Sequence, residues 1–126
     1  MAETIDIEAA LKSVSFLDGR TPGSDTSGTF GRLGTYRDGA MFAGSFSGTS
    51  PWERHPADEI VHVLGGGAVI SLVAGEAVEQ HNLKAGMIVI VPEGTWHRFE
   101  APDGVTLMTT TPQPTEHIED AEPPVG

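Results

Sequence analysis

Turn chemistry breaks this chain into runs too short for a helical core. Asp38-Gly39, Gly65-Gly66-Gly67, Ala74-Gly75, Lys84-Ala85-Gly86, Pro92-Glu93-Gly94 and Asp103-Gly104 separate short segments rich in β-branched and aromatic residues. Sixteen glycines and nine prolines reinforce the pattern, and good helix formers are scarce beyond the first fifteen residues. Many short segments at hairpin spacing predict an all-β sandwich or barrel. The segments number about eight: Arg32–Arg37, Ala40–Ser47, Glu59–Leu64, Ala68–Val73, Ala77–Leu83, Met87–Val91, Trp96–Ala101 and Val105–Thr110. Asp38-Gly39 is the strongest hairpin signal among the turns.

The rest of the chain divides around this region. Ile7, Ala10, Leu11 and Val14 recur at helical spacing, so Asp6–Val14 is expected to form a short helix. Asp18–Gly31 reads as a Gly/Ser/Thr loop or a weak edge strand. The expected organisation is an N-terminal helix and edge segment (1–35), a barrel (36–111) and an acidic, proline-rich stretch (112–126). That last stretch is expected to be a mobile tail or an arm on the surface. At 126 residues the chain is one domain's worth.

Composition excludes several functions. Seven basic residues against eighteen acidic ones leave a formal net charge of −11. Binding to nucleic acid or to an anionic membrane surface needs a basic face, so neither is an expected partner. The absence of cysteine removes disulfides, thiolate catalysis and every thiolate-ligated metal site. No apolar run approaches the ~20 residues that span a bilayer, and no basic segment precedes an apolar one at the N-terminus. The expected location is the cytoplasm.

The chemistry-bearing residues concentrate around two turns. Glu53, His55 and Glu59 share even spacing, which puts side chains on one face of an extended chain, although Pro56 interrupts the run. His97 follows the Pro92-Glu93-Gly94 turn by three residues, where a strand offers its first side chains to the mouth of a barrel. Two imidazoles and two carboxylates suit one divalent transition metal: Fe, Mn, Ni or Zn. Spacing alone leaves open the plainer reading, surface histidines beside an acidic strand edge.

The pattern Gly86-x5-Pro92-x-Gly94-x2-His97 resembles the second motif of the cupin superfamily, and Glu53-x-His55-x3-Glu59-x6-Gly66 resembles the first. Nineteen residues lie between the two, from Gly66 to Gly86. The resemblance covers about residues 40–110 and implies a double-stranded β-helix, a small jelly-roll barrel, with a metal inside. It implies Glu53, His55, Glu59 and His97 as the ligand positions. The sequence departs from the family pattern at Glu53, where a histidine usually stands, at Gly48, which lies one residue too close, and at Ala101, which replaces an asparagine. Glu53 is therefore a fourth ligand, an uncoordinated catalytic acid or base, or a cap on a neighbour. Without it, His55, Glu59 and His97 form the two-histidine, one-carboxylate set of non-haem Fe(II) oxygenases.

The resemblance implies a metal-dependent enzyme, oxygenase-type or an isomerase or lyase, acting on a small organic molecule in the barrel. The alternative is a non-catalytic small-molecule binding or sensing module, and a structural protein with a relic site is a third reading. A homodimer is expected, with the N-terminal segment covering a sheet edge of the barrel or of a neighbour. The other candidates have plainer roles. His62 has parity opposite to Glu59 and faces outward; His81 and His117 are surface residues; Asp58 is a weaker ligand candidate than Glu59. Phe42, Phe46, Met87, Val89 and Phe99 line the barrel, and Trp52 and Trp96 flank the ligands. Arg54 and Arg98 alternate with the ligands and point away from the cavity.

Overall fold

Asp6 starts the helix by accepting a hydrogen bond from the Ala9 amide at 3.0 Å, an N-cap that satisfies one of the orphan donors of the first turn. The computed structural model, which describes residues 1–124, then runs as strands. The order is α1 (Ile7–Lys12), β1 (Leu17–Arg20), β2 (Phe30–Tyr36), β3 (Gly39–Thr49), β4 (Trp52–Arg54), β5 (Glu59–Ala74), β6 (Ala77–Lys84), β7 (Ile88–Val91), β8 (His97–Pro112) and β9 (Glu116–Ile118). Together they form a curled, open jelly-roll barrel with one short helix among the described residues. Among the described residues no helix is long and apolar enough to cross a membrane.

The strand β8 is central. It pairs antiparallel with β5 on one edge, and with β3 and then β4 on the other. Beyond β5 lie β6 and β7; beyond β3 lie β2 and, in parallel, β1. The N-terminal segment thus adds strands to the barrel's own sheet. Alternation sets the inward face of β8: His97, Phe99, Ala101, Val105, Leu107 and Thr111 are buried. Phe46, Val61, Val63, Ile70 and Val91 pack against that face to form the core. Full burial of such side chains contributes roughly 1.5–3 kcal/mol each. Of the expected lining residues, Phe42, Phe46 and Phe99 face the barrel cavity and Val89 packs on the core. Met87 does not; it is 37% exposed, because it precedes β7 in the turn.

Two expected turns prove to be corners within strands. Gly65-Gly66-Gly67 lies inside β5 and Asp103-Gly104 inside β8, and the two sites face each other across the ladder. Register shifts there bend both strands without ending them. Inward parity in β5 accordingly switches from odd (Glu59, Val61, Val63) to even (Ala68, Ile70, Leu72). Gly66 has φ +65°, and a Cβ on it would overlap the Gly104 carbonyl oxygen, so the crossing demands glycine. The joining of these segments, and the added pairing of β1, β4 and β9, turns about eight short strands into nine of mixed length.

Two further local differences have physical causes. The β2–β3 hairpin turns on Arg37-Asp38 rather than Asp38-Gly39, with Arg37 at φ 49°. Gly39 is instead the first strand residue, backbone against backbone with Thr111. The stretch from Pro112 is an arm rather than a loose tail: β9 pairs with β4, and Arg54 binds Glu116 at 3.0 Å. It ends at Pro124 within the described residues; Val125 and Gly126 lie outside them.

Gly66→Ala should destabilise the protein by roughly 2–4 kcal/mol, through backbone strain plus steric overlap at the corner. Gly75 has φ +66° but open space around it, so Gly75→Ala should cost only about 1 kcal/mol. Denaturant unfolding of both variants checks this; equal losses would mean that the corner is not a tight crossing.

Candidate metal centre

Three strands and one loop bring the expected residues together. Glu59 opens β5, His97 opens β8, and His55 follows β4 directly. In the β4–β8 ladder Glu53 sits opposite His97, so their side chains share a face. The Pro92-Glu93-Gly94 turn is pinned to this region: the Gly94 amide donates to the His55 carbonyl at 2.8 Å, and the Glu93 amide donates to Asp58 Oδ1 at 2.9 Å. Asp58 is thereby used as a turn anchor at the surface, not as a ligand.

Both imidazoles present Nε2 to one carboxylate. His55 Nε2 lies 3.3 Å from Glu59 Oε2, and His97 Nε2 lies 3.2 Å from Glu59 Oε1. Their rings stand 5.3 Å apart. All three side chains are almost fully buried, and one donor atom from each lies within 4.8 Å of the others. The opposite ring nitrogens are engaged. His97 Nδ1 donates to the Thr95 carbonyl at 2.9 Å, and His55 Nδ1 shares a hydrogen bond with Thr115 Oγ1 at 3.0 Å. Thr111 donates to Glu59 Oε2 at 2.6 Å and is itself bonded to Thr109 at 2.7 Å. Outer partners on Nδ1 fix the tautomer that frees Nε2 as a ligand, and a hydrogen-bonded carboxylate completes the usual surroundings of a metal site. The donor set therefore fits a divalent cation.

Electrostatics report the same convergence. Burial alone would raise the Glu59 pKa, but hydrogen bonds and charge from His55 and His97 outweigh it and hold the carboxyl at about 2. Burial alone would lower the His97 pKa, but the Glu59 hydrogen bond and charge outweigh it and the net shift is upward. Glu53 behaves differently. Burial raises its pKa, with the charges of His97 and Arg20 opposing. Glu53 lines the same cavity but is not in the group of converging donor atoms.

The cavity has a volume of about 250 Å³. Its apolar walls are Phe30, Phe42, Phe46, Phe99 and Leu107, and its polar lining includes Glu53, the His55–Glu59–His97 cluster, Arg20, Ser50, Gln113, Thr26 and the threonines of β8 and the following arm. Trp52 and Trp96 are not in it. Each carries an arginine on its ring instead, Arg98 at 4.7 Å and Arg54 at 4.6 Å, so both arginines face away as their parity predicts. His62 is half-buried on the outer parity and His81 and His117 are exposed. Sequence reasoning missed Arg20, Thr111 and Thr115. Thr111 keeps the inward parity of Leu107 and was findable; Arg20 and Thr115 lie in segments whose local pattern reads as loop.

A family model described as a cupin domain matches residues 46–110, just over half of the chain. No curated protein matches it. Among solved structures, the hydroquinone 1,2-dioxygenase PnpCD, in complex with Cd2+ and 4-hydroxybenzonitrile, is similar at 20% identity and TM-score 0.57, over 66% of this chain and 63% of that one. Hydroquinone 1,2-dioxygenase from Sphingomonas, with 4-hydroxybenzoate bound, is similar at 16% identity and TM-score 0.57, over 70% and 65%. A cupin-like protein from Thermotoga maritima is similar at 20% identity and TM-score 0.61, over 82% and 89%. The chain spans less than two thirds of the length of the two dioxygenase chains. At these identities the similarity shows a shared fold.

The shifted groups predict how the metal-free protein responds to pH. Glu59 is ordinarily near 4.5 and is lowered to about 2, so its stabilisation is complete above pH 4.5 and is lost as pH falls toward 2. His97 is ordinarily near 6.5 and is raised, so its stabilisation is complete below pH 6.5 and is lost as pH rises through the folded value. Thermal unfolding of chelator-treated protein should therefore show the site's largest contribution between about pH 4.5 and 6.5. Metal must displace the His97 proton, so affinity should rise with pH. Thr111→Val should weaken metal binding by about 10-fold or more, and His81→Ala should leave it unchanged.

Proposed function

The chain belongs to the cupin domain family, and from that premise we propose that it is a metal-dependent enzyme acting on a small organic molecule, with oxygenase-type chemistry the first to test. One observation carries the reading: two buried imidazoles aim Nε2 at the two oxygens of one buried carboxylate, on the wall of a cavity. His55, Glu59 and His97 would hold a divalent ion, which would supply Lewis acidity and, if redox-active, electrons for dioxygen chemistry. The surrounding side chains do the rest. The phenylalanine walls exclude water and pack a flat substrate, and the threonines orient the ligands. Fold alone does not set the reaction class. The kinship of fold with hydroquinone 1,2-dioxygenases is the reason to begin with oxygen consumption rather than isomerisation or lyase assays.

Glu53 is proposed as the proton-handling group beside the site, with a fourth-ligand role as the competing assignment. Its place outside the converging donor group, and its upward shift on burial, support the first. Glu53→Gln should then leave metal content unchanged and reduce turnover by roughly 10²–10⁴-fold. Loss of metal from Glu53→Gln would assign it as a ligand instead. Elemental analysis of the purified protein, followed by oxygen uptake with a panel of small metabolites, tests the whole reading. Purified protein with no stoichiometric metal, and none taken up on addition, would overturn it.

We also propose a homodimer, whose contact is the outer face of β5 and β7. Ile60, Ile88 and Ile90 are 42%, 59% and 60% exposed there, with Ile60 directly opposite Ile90. An apolar cluster on a chain this acidic suits a protein contact. Ile90→Glu should convert the particle to a monomer by light scattering; a monomer in the unsubstituted protein would refute the assignment.

A further inference from the structure

Among the described residues Arg20 is a buried cation with neither a side-chain hydrogen bond nor an ion pair. It ends β1, which lies parallel to β3 with Arg20 opposite Gly48. Gly48 has φ +103°, and a Cβ there would overlap the Arg20 backbone, so this glycine is what lets β1 lie so close. The side chain is only 9% exposed and lines the cavity. Its guanidinium is stacked near Phe46 and Phe30, at 4.6 and 5.3 Å from the ring centroids. Among the described residues no hydrogen bond or ion pair engages it, and its Nε is buried without a partner. The nearest acid in its own strand, Asp18, is already taken: its Oδ1 accepts from Ser47 at 2.8 Å. Glu53 contributes charge across the cavity but forms no ion pair with it.

Ring contacts compensate such a group only in part. They leave the in-plane N–H donors of the guanidinium unused, and a buried charge without hydrogen bonds is strongly disfavoured. The rings hold the guanidinium in place, and its free donors share the cavity with the His55–Glu59–His97 cluster. A guanidinium fork matches a carboxylate in two parallel hydrogen bonds. The walls say what kind of carboxylate. Phe30, Phe42, Phe46 and Phe99 suit a flat, unsaturated or aromatic body rather than a hydrated inorganic anion. At about 250 Å³ the cavity is smaller than the ~300–1,000 Å³ typical for drug-sized ligands, so the body is small.

We propose that Arg20 is the anchor for a small, planar organic carboxylate, whose far end is thereby presented to the His55–Glu59–His97 cluster. This deepens the proposed function by naming a substrate class, and it rests on that reading only for what happens at the far end.

The test uses benzoate, benzamide and inorganic phosphate as probes, on metal-loaded and on chelator-treated protein. Calorimetric titration should show benzoate binding at least 10-fold more tightly than benzamide, which has the same shape without the charge. Arg20→Met should weaken benzoate by about 10–100-fold and leave benzamide unchanged. Arg20→Lys, which keeps the charge and loses the fork, should fall between. With no ligand, Arg20→Met should raise Tm by roughly 2–5 °C, because it removes an unpaired buried charge. Elemental analysis should find wild-type metal content in both variants.

Equal affinity for benzoate and benzamide in the unsubstituted protein would overturn the proposal, as would indifference of benzoate to Arg20 or no benzoate binding at millimolar concentration. Phosphate that binds through Arg20 and excludes benzoate would overturn the planar organic assignment. Arg20-dependent benzoate binding in a protein that never takes up metal would sink the metal reading and leave this one standing. Normal metal uptake with benzoate indifferent to Arg20 would do the reverse.

Discussion

The Glu59 carboxylate is the point on which the site depends. A buried carboxylate costs several kcal/mol unless charges and hydrogen bonds surround it. Here His55 and His97 each meet one of its oxygens and Thr111 donates to it. His97 and Thr111 stand at opposite ends of the same strand. Fourteen residues apart, they would be separated by roughly 46 Å if β8 were straight. Their meeting at one carboxylate therefore requires the strand to curl almost back on itself. Satisfying one charge and curling the sheet are the same structural event.

Glycine makes that curl possible. At the corner of β5 and β8 the backbones of Gly66 and Gly104 come too close for a side chain, and the registers shift on both sides. The corner also reverses which residues of β5 face inward, so that both halves of one strand contribute apolar side chains to the same core. Gly48 acts similarly at the β1 edge, where its lack of a Cβ admits the strand that carries Arg20. These glycines link backbone geometry to chemistry: one set brings His55, Glu59 and His97 together, and the other delivers a cation to the same cavity.

The cavity combines groups that stability alone would not retain together. Glu53 and Arg20 line one small space without pairing, Glu53 shifted upward by burial and Arg20 downward by the same cause. Burial disfavours the charged form of each. Groups held in such environments are the ones proteins use for binding and proton transfer. The half-buried Arg54 and Arg98 are engaged differently: they lie on Trp96 and Trp52, bind Glu116 and the Ala121 carbonyl, and secure the arm after β8.

The primary sequence alone determined the all-β class, the helix at Asp6, most strand segments and the spacing that pairs His55, Glu59 and His97. Those properties are local: turn residues, period-two alternation and the parity of side chains along a strand leave their mark within a few residues. Tertiary structure decided the rest. The glycine-rich segments at Gly66 and Gly104 read as turns because glycine permits both a turn and a corner, and only the opposing backbone selects between them. The stretch after Pro112 reads equally as a tail or a surface arm because its pairing partner, β4, lies some sixty residues earlier. Arg20 sits in a segment with no local signature, and it acquires a role only when a parallel strand brings it to a cavity whose other walls include β2, β3, β4, β5 and β8. Contacts between distant segments cannot be inferred from local periodicity, because they are set by how the sheet curls.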